Sequence, residues 1–461
     1  MHLLGLFLLA GAQGSTYDVG PGQPYASIGA VPWESLQPGD TVAIHWRPAP
    51  YAEKWVIGRR GAAGAWIRVR GVPGPEGQLP VIDGRDATTR PQLNYWNEDR
   101  GVIKVGGANS PPDTTPAYIR IEGLEIRSAR PPYTFTGRNG LTRYLSNAAA
   151  IYVEKVEFLE VRDCVLHDCG NGFFTAANSE DVLVEGCEIH ANGIEGSIYE
   201  HNNYTEAQRI TFQFNCFGPL RANCPGNNLK DRSAGTVIRY NWIESGNRQL
   251  DLVDSDYSFV INLPEYRATF VYGNVLVEPD GAGNSQICHY GGDSGITSQY
   301  RKGTLHFYHN TVVSTRSGNT TLFRLSTNQE SADCRNNVVY ALAGGSRLAL
   351  LDSSGILDLW NNWLSQGWHT SFSSFDGTLV DHGGGVYGLV PGFRRFGTQD
   401  FSLLPVSPCR DAGTALAAAA LPEHAVVFEY LAPGRSWPRP QDATADLGAF
   451  EFSARSRPSA R

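Results

Sequence analysis

Nine segments of one pattern recur along the middle of this chain, and their spacing decides what it can fold into. Each has an alternating strand, a polar bend and a second short apolar strand, as in Ile210-Thr211-Phe212-Gln213-Phe214-Asn215-Cys216-Phe217. The segments start at Ile119, Leu159, Val182, Ile210, Thr236, Thr269, Leu305, Ala332 and Leu357. Their sixth positions read Leu124, Cys164, Cys187, Asn215, Asn241, Asn274, Asn310, Asn337 and Asn362. After Cys164 the steps are 23, 28, 26, 33, 36, 27 and 25 residues. A period of this length without helical patterning means a β-solenoid: one coil cannot bury its own apolar face, but stacked coils can. Leucine-rich repeats would be shorter and stricter, and propeller blades longer and more regular. The recurrent Asn fits a bend. Asn tolerates left-handed backbone, and stacked amides hydrogen-bond along a ladder.

The rest of the sequence agrees. Glycine (51) and proline (27) are plentiful and methionine occurs once, which suits a turn-rich, β-rich chain. The net charge of −8 argues against a general nucleic-acid binder, though not against a local basic groove for an acidic polymer. Residues 1–14 carry a short apolar run, Leu3 to Ala10, then Ala12 and Gly14 at the −3 and −1 positions before Ser15. That pattern predicts an export signal and a secreted or periplasmic protein, with no membrane span elsewhere. Residues 15–116 read as an N-terminal cap and first coils, 117–365 as the solenoid core, and 366–461 as a closing segment and tail. Repeat proteins need caps at their open ends. No pair of the eight cysteines has zinc-knuckle spacing. Export permits disulfides, and Cys216 with Cys224, flanking a Gly/Pro loop, is the best candidate pair.

Three features carry a family resemblance: the Pro38-Gly39-Asp40-Thr41-Val42 entry, the Asn bends, and the Asp446-Leu447-Gly448-Ala449-Phe450 ending. Through them the chain resembles the right-handed parallel β-helix proteins, the pectate-lyase-like polysaccharide enzymes. Residues 228–234, Asn-Leu-Lys-Asp-Arg-Ser-Ala, are similar to an Asn-Leu-Leu-Lys-Ser-Arg-Ala strand of a bacterial polysaccharide-degrading subgroup. The resemblance implies an all-β, single-stranded right-handed parallel β-helix. It also implies catalysis by Lys230 with Arg232 or Arg248.

The chemistry can be argued from the residues. Lys230 and Arg232 are two apart, so on a strand they share a face while Leu229 points inward. Taking Ile198, Leu229, Leu250 and Ile287 as equivalent inward positions gives an outward column Tyr199, Lys230, Asp251, Cys288. Beside it run His201, Arg232, Val253 and Tyr290. Cleaving a uronate polymer by β-elimination needs a cation for the carboxylate, a base for the acidified C–H and an acid for the leaving oxygen. Lys230, its pKa lowered by Arg232, suits the base. Arg232 or Arg248 offers a fork to the carboxylate. Tyr199, Tyr204 or His201 could be the acid. Asn228, Asp251, His289 and Tyr290 complete a substrate-binding patch, and exposed Tyr95, Trp96 and Trp242 could stack on sugars.

Other readings stay open. Asp251 with Asp231 or Asp254 could run glycoside hydrolysis. Asp251, Asp254 and Asp256 could hold Ca²⁺, although Asp254 also reads as a turn cap. A non-catalytic carbohydrate-binding surface protein is the third. The expected partner is an acidic polysaccharide, bound by a monomer, with neither nucleic acid nor membrane involved.

Overall fold

A computed structural model of the chain describes residues 14–112 and 115–454. The predicted export signal, apart from Gly14, lies outside the described residues.

The repeat register read from sequence is the register of the main sheet. Ile119, Leu159, Val182, Ile210 and Thr236 are stacked partners. Thr269, Leu305, Ala332 and Leu357 follow in the same row. This parallel sheet begins earlier, at Thr16–Val19, and ends later, at Thr378–Asp381. Among the described residues it has 13 strands; two others of 11 and 13 complete the walls. Each coil contributes one strand to each wall, so the chain winds as a parallel β-helix. Inward side chains from all three walls form one apolar core along the barrel.

The bend between the first two walls holds the Asn ladder. Asn215, Asn241, Asn274, Asn310, Asn337 and Asn362 are fully buried. Each Nδ2 up to Asn337 donates to the next Oδ1, at 2.9 Å from Asn215 to Asn241 and 3.0 Å from Asn241 to Asn274. The same Oδ1 also accepts the backbone N–H of the ladder asparagine one coil earlier, as from Asn241 to Asn274 at 2.9 Å. Left-handed backbone falls one residue before the expected place. Phe214, Tyr240, Gly273, His309 and Asn336 carry positive φ, and the ladder asparagines that follow do not. The amide needs its own residue in register, so the strain passes to its neighbour, even where that is Phe or Tyr.

The closing segment is not an end cap alone. It forms two antiparallel hairpins, Phe393–Arg395 with Asp400–Leu403 and Phe428–Ala432 with Arg435–Pro438. These run back along the bend as a strap. Phe401 stacks on Trp242 with centroids 5.7 Å apart, and Gly434 N–H reaches the Phe214 carbonyl at 3.1 Å. Trp242 is therefore covered by protein, not offered to sugars. Tyr95 is likewise buried, whereas Trp96 remains exposed.

All eight cysteines are unpaired thiols. The expected Cys216–Cys224 bridge is not formed: Cys216 faces Tyr430 of the strap, while Cys224 packs on Gly193. Among the described residues no helix is long and apolar enough to cross a membrane.

Candidate active site

The third wall carries the site. Its strands Gly101–Val105, Ala149–Val153, Asn171–Thr175, Asn203–Thr205, Leu229–Asp231, Leu250–Leu252, Gln286–Tyr290 and Thr320–Leu325 pair in parallel. Leu229 and Leu250 point inward as expected, stacked with Asn203 and Cys288. The outward row therefore reads Lys104, Tyr152, Phe174, Tyr204, Lys230, Asp251, His289, Arg324. Adjacent coils are about 4.8 Å apart, so these eight positions line roughly 34 Å of one face.

Three expected neighbours change. Tyr199 lies in the loop before its strand, 74% exposed, and Tyr204 takes its place. Ile198 is likewise in that loop, 58% exposed. On the Gln286–Tyr290 strand the register slips by one, so Cys288 faces in and His289 faces out. Ile287 and Cys288 are both apolar, and hydrophobicity alone does not choose between them. Tyr290 consequently sits inside, fully buried against Arg301, and touches no groove.

Lys230 is held by two carboxylates. Its Nζ donates to Asp251 Oδ2 at 2.6 Å and to Asp293 Oδ2 at 2.5 Å. Burial alone would lower its pKa, but Asp251 and Asp293 outweigh burial and raise it. This overturns the expectation that Arg232 leaves Lys230 with a depressed pKa. Asp293 also bridges to Arg232, whose Nη2 donates to Oδ1 at 2.8 Å. Arg232 further donates from Nε to Tyr204 Oη at 3.1 Å and from Nη1 to the Asp254 carbonyl. Lys230 and Arg232 thus clasp one carboxylate between them, from a loop residue whose side chain is 33% exposed.

Asp251 is the buried anchor. It accepts from Lys230, from Asn227 Nδ2 at 2.7 Å and from His289 Nδ1 at 2.8 Å. Burial would raise its pKa; Lys230 and His289 hold it well below the carboxylate range. His289 Nε2 meets Ser326 Oγ at 2.9 Å. Ser326 Oγ also accepts Gly292 N–H at 2.9 Å and lies 3.0 Å from Gly292 O, so the hydroxyl is fully engaged. The chain Asp251–His289–Ser326 ties three coils to the turn that presents Asp293. A Cβ on Gly291 would lie 2.6 Å from Ser326 Cβ and Oγ, and the φ of +134° also calls for glycine.

His201 is buried beside this centre. Burial, then Lys230, push its pKa down to about 3. Its Nδ1 accepts the Asn227 N–H at 2.9 Å, which puts the ring proton on Nε2. Arg248 donates twice to Gln286 Oε1, at 3.1 and 2.8 Å, and lies 3.6 Å from Asp251. Arg324, absent from the sequence reading, is exposed at the end of the row, and its side chain makes no hydrogen bond or ion pair among the described residues.

Other expected members serve structure. Asn228 is fully buried, accepting from Asn202 at 2.9 Å and donating to the Glu244 carbonyl at 2.7 Å. Asp231 faces inward, bonded to Thr205, Ser233 and Thr236 and 3.5 Å from buried Arg301. Asp254 is buried, accepting Asp293 N–H at 2.8 Å and the Ser294 hydroxyl, a turn cap as read. The hydrolase pairs of Asp251 with Asp231 or Asp254 are therefore not assembled. A calcium ion does not fit either. Asp251 is spent on cations and Asp254 on a turn, and no cluster of three His, Cys, Asp or Glu gathers among the described residues.

Comparison with solved structures places this architecture. Pectate lyase Pel9A superposes with a TM-score of 0.52 at 11% identity, covering 96% of this chain and 97% of that one. The chain has the parallel β-helix fold of a pectate lyase. The β-helix also matches an alginate lyase from Paenibacillus sp. str. FPU-7 (TM-score 0.45, 9% identity, 74% of this chain and 92% of that one). A rhamnogalacturonan lyase matches at 0.45 and 11%, over 88% of this chain and 97% of that one. No family model and no curated protein matches the sequence.

The row could have been found from sequence. Aligning Asn203-Tyr204, Leu229-Lys230, Leu250-Asp251, Cys288-His289 and Phe323-Arg324 as inward–outward pairs reproduces it. Asp293 could not: it arrives from a loop.

Proposed function

We propose that this β-helix is a polysaccharide lyase that cleaves a uronate-containing glycan by β-elimination. The observation that carries the reading is the clasp of one carboxylate by Lys230 and Arg232 on the outward row. A uronate carboxylate entering there displaces Asp293 and takes the Arg232 fork, which acidifies the adjacent C–H. Lys230 then retains Asp251 but has lost Asp293, one of the two anions that favour its proton. As the free amine it removes the proton at C5. The electron pair forms the C4–C5 double bond as the C4–O bond breaks. Tyr204 protonates the departing oxygen. Its Oη accepts from Arg232, so its own proton is free to be donated. His201, neutral with its proton on Nε2, serves as a hydrogen-bond donor. The fold shared with the pectate lyase Pel9A supports a lyase at the level of the scaffold.

The deciding experiment is a panel of uronate and neutral glycans scored for ultraviolet-absorbing unsaturated ends and for new reducing ends. Cleavage of a uronate glycan with both signals is the expected result. Lys230→Ala should reduce it by about 10²–10⁴, the usual worth of a general base, with the far-ultraviolet spectrum retained. Reducing ends without absorbance, or cleavage confined to neutral glycans, would sink the lyase reading.

A further inference from the structure

The outward row continues past the charged centre into an aromatic stretch. Tyr152 and Phe174 stack at 4.6 Å with their planes 11° apart, and Phe174 meets Tyr204 edge-on at 5.7 Å. Arg100 lies over both rings, its Cζ 4.7 Å from the Tyr152 centroid and 5.2 Å from that of Phe174. Lys104, the neighbouring cation, is already satisfied by Glu154 and the Trp96 carbonyl, each at 2.8 Å. Arg100 is not. Its side chain makes no hydrogen bond or ion pair among the described residues, and its buried Nε has no partner. A buried orphan donor on a guanidinium is costly and calls for an explanation. Tyr152 is buried beneath, packed against Phe174 and Lys104, so the two rings seat the guanidinium, and its planar fork suits the carboxylate of a sugar.

We infer that Arg100, with Tyr152 and Phe174, forms a distal subsite that binds the carboxylate of a second uronate unit of the same glycan chain. Phe174 is two coils from Lys230 and Tyr152 three, about 10 and 14 Å along the helix axis. A glycan laid along the row therefore reaches Arg100 only when it extends beyond the units at the cleavage centre. The inference rests on the uronate reading above and adds a length requirement to it.

The test compares Arg100→Gln with wild type on a size series of oligogalacturonates and oligomannuronates. The ratio of kcat/KM for the hexasaccharide to that for the trisaccharide should fall about tenfold, carried by KM, as expected for loss of one charge-assisted contact. Arg100→Lys, which keeps the charge and tests for a folding defect, should recover part of the ratio. An unchanged ratio, or equal losses on both lengths, overturns the subsite while leaving the lyase reading intact. If wild type cleaves no uronate glycan, affinity electrophoresis in polygalacturonate and alginate gels decides. Retardation lost in Arg100→Gln supports the subsite without the lyase; retardation equal to wild type overturns it.

Discussion

Asp293 is the residue whose removal says most about the chemistry. Its carboxylate stands where the proposed substrate's would, and it helps hold the Lys230 pKa above that of an ordinary lysine. Asp293→Asn removes one of the two anions favouring the ammonium, so the acid limb of kcat/KM should move to lower pH. If the limb stays put or moves upward, Lys230 is not the base. Removing Lys230 has a structural consequence too. Lys230→Ala removes one cationic partner of the buried Asp251, which keeps Asn227 and His289, and should lower stability by about 1.5–3 kcal/mol in denaturant titrations, the usual worth of a hydrogen bond to a charged group. Two of these side chains were legible in the sequence. Lys230 and Arg232, two apart on a strand, had to share a face. Their shared partner was less so: Asp293 comes from a turn, where spacing does not determine direction.

Among the elements, the Asn ladder is the clearest case of sequence specifying structure. A side chain that recurs at one bend in coil after coil, and is buried there, must bond to its own copies. Asn274→Ala, in mid-ladder, leaves the Asn241 amide and backbone N–H without their shared acceptor. It should cost about 1–3 kcal/mol, and more than Asn362→Ala at the ladder's end. Equal losses at both positions would show that the amides do not act as a continuous ladder. The outward row of the third wall was harder to read. Its strands are short, three residues in Leu229–Asp231 and in Leu250–Leu252, so alternation gives few clues. Cys288 and Ile287 present equally apolar neighbours, and the register was misplaced by one residue there.

At the scale of the whole molecule, two buried glutamates contribute a pH dependence to stability. Burial raises Glu278 and Glu451 to about 7, although Arg316 and Arg439 pair with them. The folded state keeps these protons where the unfolded chain, at about 4.5, has lost them. Their stabilising contribution is therefore full below pH about 4.5 and fades as pH rises to about 7. Asp251 and Asp293, held below the ordinary 3.8, act oppositely and stabilise only above it. Buried His201 and half-buried His424, held at about 3 and about 4, oppose the glutamates as pH falls below 6.5, so the glutamates are read by difference: the Tm of Glu278→Gln with Glu451→Gln, relative to wild type, should rise between pH about 4.5 and about 7. A difference from wild type that stays constant over that range would contradict the assignment. The coils were evident from the repeat, but the strap's path was not, because contacts such as Phe401 on Trp242 join segments with no shared pattern. The strap also imposes an order in time. Coils stack on neighbours already made, so winding can begin from the first segments of a growing chain. The row of Phe214, Tyr240 and Trp242 waits, bare, for the last quarter of the sequence. A chain that stalls before residue 393 holds a nearly complete barrel with an adhesive seam along its side. The interval before that seam is covered is when this protein is most prone to join a second copy of itself.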